Sequence, residues 1–347
     1  MPTAPTALLV AAALLPALAF AAPPTTAPPV KGWPPEVREV AYRSDADGTD
    51  QPALWYAPPG DAPVPLLVCL HTWSSDYRTA EPAYATGCID RGWAMVRPNF
   101  RGPNSKPDAC GSDLAVKDVL AAVVWAKSQR KIDPDRVYLI GGSGGGHMSL
   151  LVAGRSPAGT WAGVSAWCPI SDLARWHADS KARKNRYWEM LEKSCGGPPG
   201  ASPDVDRQYA ARSPLTHLAS AKGTSIQIST GITDGHNGSV PVGHTLRAFN
   251  ALAAEADRVS EADIAAMEAK PQMPPNLLMK LADPLFAGKN AALFQRTSGS
   301  ARVTIFQGGH TLLPASGMAW LAEQRRGKPP VWDVKPPAGG EATDVAK

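Results

Sequence analysis

Charge is scarce in this chain, cysteine scarcer, and the spacings that mark metal, nucleotide or nucleic-acid sites are missing. Charged residues make up 19% of the 347 positions, the formal net charge is +4, and no run of Lys and Arg concentrates that excess. Nucleic-acid binding draws on clustered cations, so nothing here argues for a polynucleotide partner. The five cysteines, Cys69, Cys88, Cys110, Cys168 and Cys195, contain no C-x-x-C pair, and no His cluster accompanies them. A structural zinc site is therefore not expected. Neither a G-x-G-x-x-G nor a Walker spacing fits the glycines. No internal repeat points to a solenoid.

What is present is apolar sequence in quantity: 44% of the residues are hydrophobic, enough at this length to bury the core of one large α/β domain or two small ones. Residues 7–22 are almost wholly apolar and end in Ala19-Phe20-Ala21, a small-x-small pattern suited to cleavage before Ala22. The run is short for a bilayer span. The expectation is a signal peptide over 1–21, although the leading residues carry no Lys or Arg, and a secreted or periplasmic protein with no stable membrane insertion after cleavage. A Pro/Thr-rich spacer over 22–35 follows, and a Pro-rich, poorly ordered tail is expected over 327–347. An oxidising compartment permits disulfides. Cys69 and Cys168 lie in apolar runs and read as buried thiols, whereas Cys110 and Cys195 sit in glycine-containing loops and are the expected bridge.

The densest signal is Tyr138-Leu-Ile-Gly-Gly-Ser-Gly-Gly-Gly-His147. One serine stands among glycines where a short apolar strand, 136–140, should turn sharply into a helix. A serine hydroxyl is a poor nucleophile, and a strand-turn-helix elbow corrects this by lifting its oxygen clear of the sheet. Gly141 and Gly145 occupy the G-x-S-x-G positions around Ser143.

Around this elbow, strand patterns at 37–43, 52–56, 66–70, 93–97, 161–167, 225–230 and 302–306 alternate with helical patterns near 80–91, 114–129, 242–256 and 314–324. Such alternation implies a mainly parallel sheet covered on both faces, opened by an antiparallel edge hairpin. The alternation breaks at 171–218, a polar and aromatic stretch with helical period that reads as a cap, and again at 257–300, an insertion with few strand signals.

A serine nucleophile needs a base and an acid to orient it, in chain order Ser, Asp or Glu, His on α/β-hydrolase sheets. Asp234 follows the strand ending in Gly231, with Asp172 the second choice, and His310 follows the strand ending in Phe306. His147 is expected to pack locally, and His177 and His217 belong to the cap. His236 and His244 flank Asp234 at spacings that match no strong ligand motif. Developing charge on an attacked carbonyl calls for two backbone N–H donors. Gly144 supplies one, and the loop after strand 66–70 supplies the other through Trp73, with Thr72 next. Trp73 and His71 are the expected substrate contacts.

Several ordered motifs carry a resemblance: Asn99-Phe-Arg-Gly102, Ile132-Asp-Pro-Asp-Arg136, Gly141–Gly146, Arg212-Ser-Pro-Leu215, Gly231-Ile-Thr-Asp234 with Val240-Pro241, and Gly308-Gly-His310. From about residue 66 to 324 the chain resembles the catalytic domain of the prolyl oligopeptidase superfamily, especially stand-alone esterase-like members. The resemblance implies an α/β-hydrolase fold over 36–326, with an eight-stranded, mostly parallel sheet, helices on both faces and a helical cap. It places nucleophile, acid and base on Ser143, Asp234 and His310. Two departures stand out. Family peptidases set a β-propeller before this domain, whereas a few dozen residues precede the first strand here, and Gly-His-Asn-Gly-Ser lengthens the loop between Asp234 and Val240. The expectation is a cofactor-independent, metal-free serine esterase acting on small-molecule or polysaccharide esters, acetyl or feruloyl groups among them. The alternative is a peptidase of the same family acting on small peptides.

Overall fold

The computed structural model describes residues 29–335. The expected signal peptide, the start of the spacer and the end of the tail lie outside the described residues. Nine strands form one sheet: β1 (Arg38–Arg43), β2 (Asp50–Tyr56), β3 (Val64–Leu70), β4 (Ala94–Pro98), β5 (Ile132–Gly142), β6 (Gly163–Trp167), β7 (Ile226–Gly231), β8 (Ala292–Ser298) and β9 (Ala301–Phe306). Their order is β1-β2-β4-β3-β5-β6-β7-β9-β8. Pairing is parallel from β4 through β9, and antiparallel only where β1, β2 and β8 meet their neighbours. This α/β-hydrolase-like sheet has one strand more than the expected eight. The extra strand, β8, lies in the second insertion. Its mixed sequence ALFQRTS suits an edge, where one side of the strand has no partner, and Gly299 turns it back into β9.

The central strands β3, β6 and β7 are buried nearly throughout because both faces are covered. On one face lie α2 (Asp113–Gln129), α3 (Gly144–Arg155), α7 (Val242–Leu252) and α8 (Glu261–Ala269), packed through residues such as Val119, Leu151, Phe249 and Ile264. On the other lie α1 (Pro82–Arg91) and α9 (Pro314–Glu323), through Tyr84, Cys88, Met318 and Trp320. Pro82 opens α1, and Gly92, in the left-handed region, closes it. Between β6 and β7 stand α4 (Leu173–Ala182), α5 (Tyr187–Cys195) and α6 (Pro203–Arg212), which bury a small core of their own around Trp176, Leu191 and Tyr209.

Three expectations change. The spacer does not stay free to residue 35: Trp33 is buried, its Nε1 donates to the Arg78 carbonyl, and the Arg97 guanidinium lies over its ring. The first part of the tail also docks, with Trp332 stacked on Trp320 at 5.3 Å and Val334 buried. Cys110 and Cys195 share the cap core but remain free, buried thiols rather than a bridge. Cys110 is pinned by an Asn104 side-chain bond to its N–H and by Arg212 donating to the Ala109 and Cys110 carbonyls. That anchoring fixes its backbone without requiring a covalent link.

Candidate active site

Ser143 sits at the turn between β5 and α3 with φ +56° and ψ −118°, a conformation a serine adopts only under local constraint. Its N–H donates to the Trp167 carbonyl at 2.8 Å, and its own carbonyl accepts from His147 N–H in the first turn of α3. Gly144 must be glycine, since a Cβ there would collide with the backbone of Trp73. That closeness brings the Trp73 and Gly144 backbones together beside Ser143. Among the described residues, neither N–H meets a hydrogen-bond acceptor.

The parallel pairing of β7 with β9, register Gly231 to Phe306, sets the loops after the two strands side by side. Asp234 and His310 meet there: Nδ1 of His310 lies 2.8 Å from Oδ2 of Asp234. The carboxylate is buried and also accepts from Thr230 Oγ1 at 3.2 Å and from the Val240 N–H at 3.2 Å. Burial opposes charge on the imidazole, but the Asp234 charge and hydrogen bond outweigh it and raise the pKa of His310 well above its ordinary value. No hydrogen bond joins Ser143 Oγ to this ring among the described residues; both residues line one cavity. In unliganded sites such contacts commonly tighten only around substrate.

That cavity measures about 370 Å³. Besides Ser143 and His310, its walls include Trp73, Tyr84, Tyr187, Leu312 and Glu81. Tyr187 arrives from the cap through an aromatic relay, stacked on Trp176 at 4.9 Å, which meets Trp73 edge-on at 4.6 Å. Trp176 itself is buried, its Nε1 donating to the Ser239 carbonyl, so it builds the cap core rather than a wall.

His71 is not a substrate contact. Its ring is fully buried, stacked on Phe100 at 3.8 Å, with its nitrogens against the Thr72 and Asn99 carbonyls. The side chain turns beneath the loop and not into the cavity. Asp172, the second choice for the acid, caps α4 by accepting from the Arg175 N–H. The remaining histidines point elsewhere: His147 to the Arg212 carbonyl, His177 to Glu192, His217 to the Ala211 carbonyl, His236 to the Met267 carbonyl and His244 to Ser171.

Sequence reasoning missed three neighbours of the pair. Thr230, the penultimate residue of β7, braces the carboxylate. Gly238, in the lengthened loop, presses against both Asp234 and His310. Cys168, immediately after β6, has its thiol within 4.8 Å of ligand atoms of both residues. The extra residues between Asp234 and Val240 were the available signal for Gly238. Cys168 carried none, because its apolar context reads as core.

The fold and this arrangement define a serine hydrolase on an α/β-hydrolase-like sheet. The profile of the Prolyl oligopeptidase family matches residues 85–269, more than half of the chain, and the chain belongs to that family. It is 30% identical over 172 residues to dipeptidyl aminopeptidase BIII of Pseudoxanthomonas mexicana, covering 47% of this chain and 24% of that protein. It is 29% identical over 133 residues to the quorum-quenching protein AidA of Acinetobacter baumannii, covering 37% of this chain and 43% of that one. The chain thus spans well under two thirds of the length of these curated relatives. Among solved structures, puromycin hydrolase superposes with a TM-score of 0.51 at 19% identity, over 63% of this chain and 33% of that one, a likeness of fold.

Proposed function

We propose that this serine hydrolase forms an acyl-enzyme on Ser143 from small peptide-like substrates. His310, oriented by Asp234, takes the serine proton, and the Gly144 and Trp73 N–H groups receive the charge that develops on the attacked carbonyl. The imidazolium then protonates the leaving amine, and water, activated by the same ring, releases the acid. The observation that carries this reading is the hydrogen-bonded Asp234–His310 pair sharing one cavity with Ser143 at a strained turn. The similarity to a dipeptidyl aminopeptidase supports amides as the first substrate class. A cavity of about 370 Å³ lies at the small end of ligand sites and suits a short peptide rather than a folded protein.

A second reading, cleavage of carboxylic esters such as acetyl or feruloyl groups on polysaccharide, is favoured by the aromatic walls at Tyr84 and Tyr187, which suit a planar acyl group. The apolar leader at 7–22 supports work outside the cytoplasm, which fractionation of expressing cells tests directly. The decisive experiment for substrate class is a panel of aminoacyl and dipeptidyl amides beside acetyl, nitrophenyl and feruloyl esters, run on wild type and Ser143→Ala. Amide kcat/KM well above that for feruloyl and acetyl esters supports the peptidase. The reverse order overturns it in favour of the esterase, and turnover that survives Ser143→Ala overturns the nucleophile.

A further inference from the structure

Hydrolysis through a serine needs nothing from the thiol of Cys168, yet that thiol stands against the two residues that would make the base work. Its sulfur, an imidazole nitrogen of His310 and a carboxylate oxygen of Asp234 all lie within 4.8 Å of one another. Cys168 is fully buried and held with a positive φ of 45°. Its S–H donates to the Thr311 carbonyl at 3.5 Å, and its Sγ lies 3.5 Å from Thr230 Oγ1, whose one proton is shared with Oδ2 of Asp234 at 3.2 Å. The sulfur is therefore anchored from the β7 side and from the residue after His310. One sulfur, one imidazole and one carboxylate form a donor set suited to a borderline-soft divalent cation. The half-buried His310 ring, on the cavity wall, marks the way in.

We propose that Cys168, Asp234 and His310 constitute an inhibitory site for thiophilic divalent cations, Zn²⁺ or Cd²⁺, with the fourth position left to water. The consequence for catalysis rests on the reading of His310 as base; the site itself does not. Neutral His310 carries its proton on Nδ1, facing Asp234. A cation bound at Nδ1 leaves the ring neutral only if that proton moves to Nε2. The thiol proton leaves to solvent as the Cys168 thiolate binds, and the Asp234 carboxylate completes the set. From the neutral ring one cation enters and one proton departs; from a protonated ring a second proton leaves Nδ1 as the cation binds, and charge balances in both cases. Nε2, now protonated, has no lone pair for the Ser143 proton. Inhibition thus follows from a change of tautomer, without any cation on the serine.

The test uses the full chain with Co²⁺ as the spectroscopic probe and Zn²⁺ and Cd²⁺ as inhibitors. Wild type should show a thiolate-to-cobalt charge-transfer band that is absent from Cys168→Ser. Zn²⁺ and Cd²⁺ should suppress turnover, and fluorophosphonate labelling of Ser143, at concentrations lower in wild type than in Cys168→Ser or Cys168→Ala by at least the factor of about 10 to 100 that loss of an outer-shell partner alone costs, each measured against its own metal-free rate. Two small variants guard against a folding defect in either one. A missing band in wild type, or an equal band in the variants, overturns the site. Equal inhibition of wild type and variants overturns its inhibitory role. Should wild type lack hydrolase turnover altogether, the catalytic reading fails, and the cobalt band still decides whether the three residues bind a cation.

Discussion

Gly238 lies flat against the Asp234–His310 pair: a Cβ at this position would collide with Oδ1 of Asp234 and stand 2.8 Å from Cβ of His310. The lengthened loop between Asp234 and Val240 thus brings Gly238 back over the pair, and the Val240 N–H closes the loop on the same carboxylate. Gly238→Ala should therefore push acid and base apart while leaving the sheet intact. Displacements on the order of 1 Å in such sites cost about 10²-fold in rate. We expect kcat to fall by about that factor with little change in melting temperature, read from steady-state kinetics beside thermal unfolding. A variant with wild-type kcat would show that the loop is not holding the pair.

Asp234→Asn separates orientation from bulk. The amide keeps the shape of the carboxylate but cannot hold His310 in the same tautomer, and an equivalent change in a serine protease lowers kcat by about 10⁴-fold. A similar loss is expected here, alongside near-complete loss in Ser143→Ala, with both proteins folded by circular dichroism. Retention of more than a tenth of the wild-type rate in Asp234→Asn would remove Asp234 from its role.

The adjacency of Asp234 and His310 was legible before any coordinates, because both follow apolar runs, and parallel strands deliver their following loops to one edge. The elbow was legible because Gly141 and Gly145 frame Ser143 at the G-x-S-x-G positions, where a Cβ would run into the backbone of Gly145 and Leu70 respectively. His71 misled for a related reason. It too follows a strand, but side chains beyond a strand end can turn either way, and this ring turned down onto Phe100. Strand β8 escaped notice because an edge strand buries little and needs no apolar run. Docking of Trp33 and Trp332 was hidden by their proline-rich surroundings, since composition predicts weak order but not where an aromatic ring lands. Cys110 and Cys195 are neighbours in space, and spacing alone does not distinguish packed thiols from bonded ones.

Two buried histidines outside the catalytic pair make stability sensitive to acid. Burial lowers the pKa of His71 to about 4 and that of His147 to about 4, only partly opposed by backbone carbonyls that hydrogen-bond each ring. In the unfolded chain both return toward about 6.5. Between those values the unfolded state binds more protons, so stability is full above pH 6.5 and falls as pH drops toward 4, by about 3 kcal/mol for each ring. Denaturant unfolding of wild type and His147→Gln across this window should show a shallower pH slope in the variant. Contributions from other titrating groups cancel in the comparison, and an unchanged slope would mean that His147 is not neutral in the native state.

Part of the wall of the cavity that holds Ser143 rests on Arg97. This guanidinium is fully buried on β4 and donates to the Tyr77 carbonyl at 3.2 Å, the Thr79 carbonyl at 3.4 Å and Glu81 Oε2 at 2.6 Å. Thr79 and Glu81 both line the cavity, so a charge buried behind the wall fixes its shape. Removing one member of a buried ion pair strands the other, at about 3–5 kcal/mol. Arg97→Met should cost that much and raise KM more than it lowers kcat, because the wall shifts while Asp234 and His310 stay in contact. Pairing Arg97→Met with Glu81→Leu should restore part of the lost stability, since no uncompensated charge remains, but not the KM, since the carbonyls of residues 77 and 79 still lack their donor. Equal losses of stability in the single and double variants would show that the cost comes from packing rather than from the stranded carboxylate.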